Sequence, residues 1–116
     1  MSTREERVAR NQTTTRQINE HIEQAHQATA ARAPGPAVQE HIRMLCECGW
    51  FDCDRVIAIT IADYEAIRAD PRRFAVAHAH VIADVERVVG GTDRYLVVAK
   101  REGTPAAVAI EEDPRA

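Results

Sequence analysis

Cys46-Glu47-Cys48-Gly49-Trp50-Phe51-Asp52-Cys53 holds all three cysteines of the 116-residue chain within eight positions. The spacing is C-x-C-x4-C. At a strand end the period is two, so the side chains of Cys46 and Cys48 share a face. Gly49 follows at once and permits the tight turn that brings Cys53 back toward them. Three thiolates can then converge on one point. A Zn²⁺ ion takes four ligands in a tetrahedron, most often thiolate and imidazole, so a fourth ligand is owed. His78-Ala79-His80 is the best source, with His80 ranked first, His78 as the alternative and His41 a distant third. Asp52 and Asp54 are close in sequence but are harder ligands, less suited to a thiolate-rich site. The expectation is one zinc per chain on Cys46, Cys48, Cys53 and His80. The competing readings of the same residues are three buried free thiols or a redox-active pair.

Working outward, Ile42, Met44 and Cys46 alternate with Arg43, Leu45 and Glu47, which suits a strand. Arg55 to Ile61 is a β-branched run consistent with a central strand. Thr60 followed by Asp63 looks like the N-cap of a short helix over 61–69, which Asp70-Pro71 ends. Phe74 to Ala77 predicts another short strand. Val85–Val89 and Arg94–Lys100 flank Gly90-Gly91-Thr92-Asp93, a hairpin signal. These elements predict an α+β fold: a small antiparallel sheet of four or five strands with one short helix, stapled by zinc and preceded by an N-terminal helix. The ordered part would span 40–102, only about 60 residues, too little for burial alone to stabilise strongly.

On either side of this segment the composition changes. Residues 1–33 read as a polar helix or mobile arm whose apolar positions, Val8, Ile18, Ile22 and Ala25, form a thin stripe. Ala33-Pro34-Gly35-Pro36 breaks any helix, giving a linker over 34–39. Removing 1–33 is expected to leave the fold intact and to abolish association. Residues 103–116 read as a tail with one helical turn. The chain is 45% hydrophobic, 28% charged and only 4% aromatic, with a net charge of −3. That balance argues against a dedicated nucleic-acid binder. The apolar run Val56–Ala62 is too short to span a bilayer. No apolar leader opens the chain, and three cysteines cannot all pair within it. The expected location is therefore a reducing cytoplasm.

At these residues the chain resembles a family of small uncharacterised proteins common in actinobacteria. The resembling stretches are Cys46-Glu-Cys-Gly, Asp52-Cys53, Ile59 through Phe74, Glu86-Arg-Val-Val89 and Asp93 through Lys100, together covering about residues 42–100. The family pattern after the Phe-x-Val strand runs Pro-Gly-His. Here it is His78-Ala79-His80, so His80 takes the place of the family histidine. The 14 arginines against one lysine fit a GC-rich genome. The resemblance implies the fold and the metal site, and it implies no activity.

Other residues read more blandly. Trp50 and Phe51 form either a lid over the core or an exposed anchor for a partner. Arg72, Arg73, Arg87, Arg94, Lys100 and Arg101 could gather on one side, though such charges are more often solvated. His21 and His26, about 140° apart around a helix, are poor co-ligands. Tyr64 reads as a helix-to-sheet packing residue with its hydroxyl near water. No nucleophile elbow, phosphate loop, H-E-x-x-H or deaminase pattern occurs. The leading reading is a zinc-stabilised interaction or regulatory module with a protein partner or self-association through the N-terminal helix, and no small-molecule substrate. The alternatives are a redox-responsive regulator that releases zinc on thiol oxidation, and an enzyme with an open zinc site using Asp52 or His78 as base.

Overall fold

The computed structural model describes residues 4–32, 40–50 and 53–115. The linker around Pro34-Gly35-Pro36, together with Phe51 and Asp52, lies outside them. In order, the elements are α1 (Arg4–Arg32), β1 (His41–Leu45), β2 (Val56–Thr60), α2 (Ile61–Arg68), β3 (Arg73–Val76), β4 (Glu86–Gly91), β5 (Leu96–Lys100) and α3 (Thr104–Glu111). The fold is α+β with two small antiparallel sheets, β1-β2 and β3-β5-β4. In the first, Ile42 faces Ile59 and Met44 faces Ile57. All four are buried, as the alternation of β1 and the β-branched run of β2 require. In the second, Phe74 faces Val98 and a bulge separates Val88 from Gly90 on β4. The bulge lets the strand run through both glycines, so the reversal falls at Thr92–Tyr95, where Thr92 N–H donates to the Tyr95 carbonyl at 2.8 Å.

Thr60 caps α2 as its side chain predicts, accepting from Asp63 N–H at 3.1 Å. The Asp63 carboxylate does not reach back to complete a box. It accepts from the Tyr95 hydroxyl at 3.3 Å instead. Residues 104–111 form a two-turn helix, more than the single turn expected of the tail. It opens with Pro105 in its first turn and buries Pro105, Ala106 and Ala109.

The largest departure from the sequence reading is α1. Its buried residues are Val8, Ala9, Gln12, Thr13, Arg16, Asn19, Glu20 and Glu23, while Ile18 is exposed. These positions recur at helical spacing, so α1 has a buried stripe, but a mostly polar one. The helix is docked on the strands and on α3 by hydrogen bonds rather than by the thin apolar stripe. Asn11, Gln12 and Asn19 donate to the carbonyls of Gly49, Glu47 and Leu45. Those are backbone carbonyls of the cysteine loop and of the last residue of β1. Removing α1 would leave them orphaned, contrary to the expectation that residues 1–33 can be deleted with the fold intact.

Candidate metal centre

β1 ends at Leu45, so Cys46 is the first residue past the strand. Its N–H still pairs across to the Arg55 carbonyl at 3.0 Å, which keeps residues 46 and 55 at the base of one loop. Gly49 turns the loop with φ +84°. Cys53 N–H then donates to the Trp50 carbonyl at 3.1 Å, closing the return. From the other sheet, residues 77–80 form a turn in which His80 N–H donates to the Ala77 carbonyl at 3.1 Å. Ala79 holds φ +69° in that turn. The two turns meet, and the ligand atoms of Cys46, Cys48, Cys53 and His80 all lie within 4.8 Å of one another. His80 presents Nδ1, which is 3.4 Å from Cys53 Sγ and 3.6 Å from Cys46 Sγ. The four residues could hold a metal ion.

Electrostatics favour a cation here. Cys46 and Cys48 are buried and Cys53 is half-buried, and all three are free thiols. The hydrogen bond from the Cys46 thiol, aided by the Trp50 backbone and His80, pulls Cys48 down to about 5 against its burial. The same hydrogen bond, with burial, pushes Cys46 well above the usual thiol range. Cys53 is pushed up chiefly by burial. Three sulfurs are thus crowded together in a largely buried pocket, with Cys46 and Cys53 favouring the protonated form. A divalent ion would displace the remaining protons. Ala77 N–H donates to Cys46 Sγ at 3.1 Å, a bond that supports charge on that sulfur.

The other sequence candidates fall elsewhere. His78 is exposed, and its Nε2 is 3.0 Å from the Thr92 carbonyl, where it fastens the turn to the hairpin. His41 is exposed on β1, and Asp54 is exposed beside the loop. Neither joins the cluster. Of the six basic residues weighed as a patch, Arg72, Arg73, Arg87, Lys100 and Arg101 line a shared cavity of about 340 Å³, without Arg94. Lys100 is buried and turns inward to Glu86 at 3.1 Å.

Glu47, between the first two cysteines, escaped the sequence reading. It is fully buried on the side of the loop away from the thiols. Its Oε1 accepts from Ala75 N–H at 3.0 Å, and its Oε2 accepts from Asn19 at 3.0 Å and from the Tyr64 hydroxyl at 3.4 Å. The Tyr64 hydroxyl is therefore in the core and not near water. Arg16 lies 3.9 Å from Glu47, stacks 3.6 Å above Phe74 and donates to the Pro71 carbonyl at 2.8 Å. Glu47 ties the cysteine loop at once to α1, α2 and β3. The available signal was its place in C-x-C: with Cys46 and Cys48 on one face, residue 47 must face the opposite way, into the fold.

No protein-family profile matches the chain, and no match was found among curated proteins or solved structures.

Proposed function

We propose that the chain is a zinc-stapled interaction module whose metal site is structural. One observation carries this reading: the protein itself brings four donor atoms, three cysteine sulfurs and an imidazole nitrogen, within 4.8 Å of one another. Closed four-ligand sites are structural, whereas catalytic zinc keeps a position for water. The two sulfur–nitrogen distances to His80 suit the ion. With Zn–S near 2.3 Å and Zn–N near 2.0 Å, a tetrahedron has S···N edges of about 3.5 Å, beside the 3.4 and 3.6 Å found here. Free thiols fit a reducing compartment such as the cytoplasm. Among the described residues, no helix is long and apolar enough to cross a membrane.

The partner is a protein, met at Trp50. This side chain is 51% exposed beside the metal loop. It borders a cavity of about 550 Å³ whose other walls include Val8, Gly49, Arg4 and Arg7. An aromatic anchor beside guanidinium groups suits a segment that carries an apolar side chain and a carboxylate.

The test is metal analysis of freshly purified, reduced protein, followed by chelation. One zinc per chain in the wild type, weakened at least about tenfold in His80→Ala, with loss of the cooperative melt on chelation, is the expected result. A metal-free wild type, or a melt unchanged by chelation, overturns the reading.

A further inference from the structure

Far from the thiols, a cavity of about 520 Å³ is lined by Glu20, Glu23, Gln24 and Gln27 of α1, Glu65 of α2, and Arg115. The Arg115 guanidinium is seated among all three carboxylates. Nη1 and Nη2 donate to the two oxygens of Glu65 at 2.8 and 2.9 Å, a parallel two-point pairing. Nε donates to the two oxygens of Glu20 at 2.9 and 3.1 Å, and Nη2 also donates to Glu23 Oε1 at 3.1 Å. Behind them, Arg68 pairs with Glu20 and Asp113.

This cluster offers more acceptors than its occupant uses. Four carboxyl groups, those of Glu20, Glu23, Glu65 and Asp113, face two guanidinium groups, Arg68 and Arg115. Glu23 is only 2% exposed, and while its Oε1 accepts from Arg115 its Oε2 receives no hydrogen bond; deeper in the cluster, Arg68 Nη1 is also without a partner. The Arg115 side chain is 33% exposed, so the occupied seat opens to solvent at the mouth of the cavity.

We propose that this cavity is an arginine-recognition site, in which Arg115 is an intramolecular occupant that an arginine side chain of a partner peptide can replace. The two-point contact to Glu65 requires a planar fork, which arginine has and lysine lacks. A tethered occupant competes at an effective concentration in the millimolar range, so the intact site binds an outside arginine weakly. The proposal is independent of the metal centre.

The experiment uses the full, metal-loaded chain and the variant Arg115→Ala, with N-acetyl-arginine amide and its lysine counterpart as probes. Calorimetric titration should show the arginine probe binding the variant at least about tenfold more tightly than the wild type, and about tenfold more tightly than the lysine probe. Adding Glu65→Gln should remove that preference. Should Arg115→Ala melt too low to titrate, the readout is its melting temperature, which the arginine probe should raise and the lysine probe should not. Equal response to both probes would reduce the cavity to a generic acidic surface. No response in the variant would make Arg115 a structural clamp. Either result overturns the proposal.

Discussion

The carboxamide of Asn19 grips the backbone of Leu45 at both ends: its Oδ1 accepts from Leu45 N–H at 2.8 Å, and its Nδ2 donates to the Leu45 carbonyl at 2.9 Å. An asparagine side chain here takes the place of a neighbouring strand. The same Nδ2 reaches Glu47 Oε2 at 3.0 Å, so one buried residue of α1 holds both the end of β1 and the start of the cysteine loop. Asn19→Ala would leave the half-buried N–H and carbonyl of Leu45 and the buried Glu47 carboxylate each short of one partner. The expected cost is about 2–4 kcal/mol, measured as a lower urea midpoint. A loss below about 0.5 kcal/mol would mean that α1 is not a required part of the core.

Gly49 tests the same interface by shape. A Cβ there would sit 2.8 Å from Val8 Cγ1 and 2.8 Å from the Val8 carbonyl oxygen, and the residue holds φ +84°. Gly49→Ala combines backbone strain with a clash against α1, and is expected to cost about 2–4 kcal/mol. The same melt should show a weaker metal affinity, because the turn that returns Cys53 is disturbed. A substitution tolerated at full stability would show that α1 does not press on the loop.

Ala79 offers the opposite change. It is exposed, and it holds φ +69° in the turn that aims His80 at the thiols. An L-residue with a side chain in this region is disfavoured by roughly 1–2 kcal/mol, part of which glycine returns through its freer unfolded chain. Ala79→Gly should therefore raise stability by about 0.5–1 kcal/mol, with zinc affinity equal or higher. A destabilised variant would mean that the turn is not left-handed at residue 79.

Glu23 gives a pH signature. Burial, reinforced by Glu65, pushes its carboxyl from an ordinary 4.5 up to about 7, while Arg115 opposes the shift and Glu20 adds to it. A carboxyl raised on folding holds its proton more tightly in the native state. Its contribution is complete below the unfolded value and is lost as pH rises through the folded one. Metal-loaded protein should lose stability on the order of 1 kcal/mol between about pH 5.5 and about pH 7.5, after allowance for solvent screening at the rim. Glu23→Gln should flatten the melting temperature across that window. An unchanged slope in the variant would assign the titration to another group.

Much of the local structure could be read from residue order because it rests on short-range rules. The alternation of Ile42 and Met44 marked β1, the β-branched run marked β2, and Thr60 with Asp63 marked the start of α2. The thiol spacing and a histidine in a later turn named the four residues that could hold a metal ion. What misled the reading of α1 was the use of apolar periodicity as the sign of burial. Gln12, Arg16 and Asn19 are at or near zero exposure, and nothing in a polar helix by itself announces that it will be covered.

The sequence by itself determined which atoms can bind a metal, because period-two geometry and a glycine turn place Cys46, Cys48 and Cys53 together within one short loop. It also determined most strand positions, since side-chain alternation is a property of the extended backbone. The sequence ranked His80 ahead of His78 as the fourth donor, and the tertiary structure brings His80 to the thiols and sets His78 against the Thr92 carbonyl, with the left-handed Ala79 between them. Only the tertiary structure decided that α1 belongs to the core. The cysteine loop and the last residue of β1 have backbone groups whose partners are side chains more than 25 residues away.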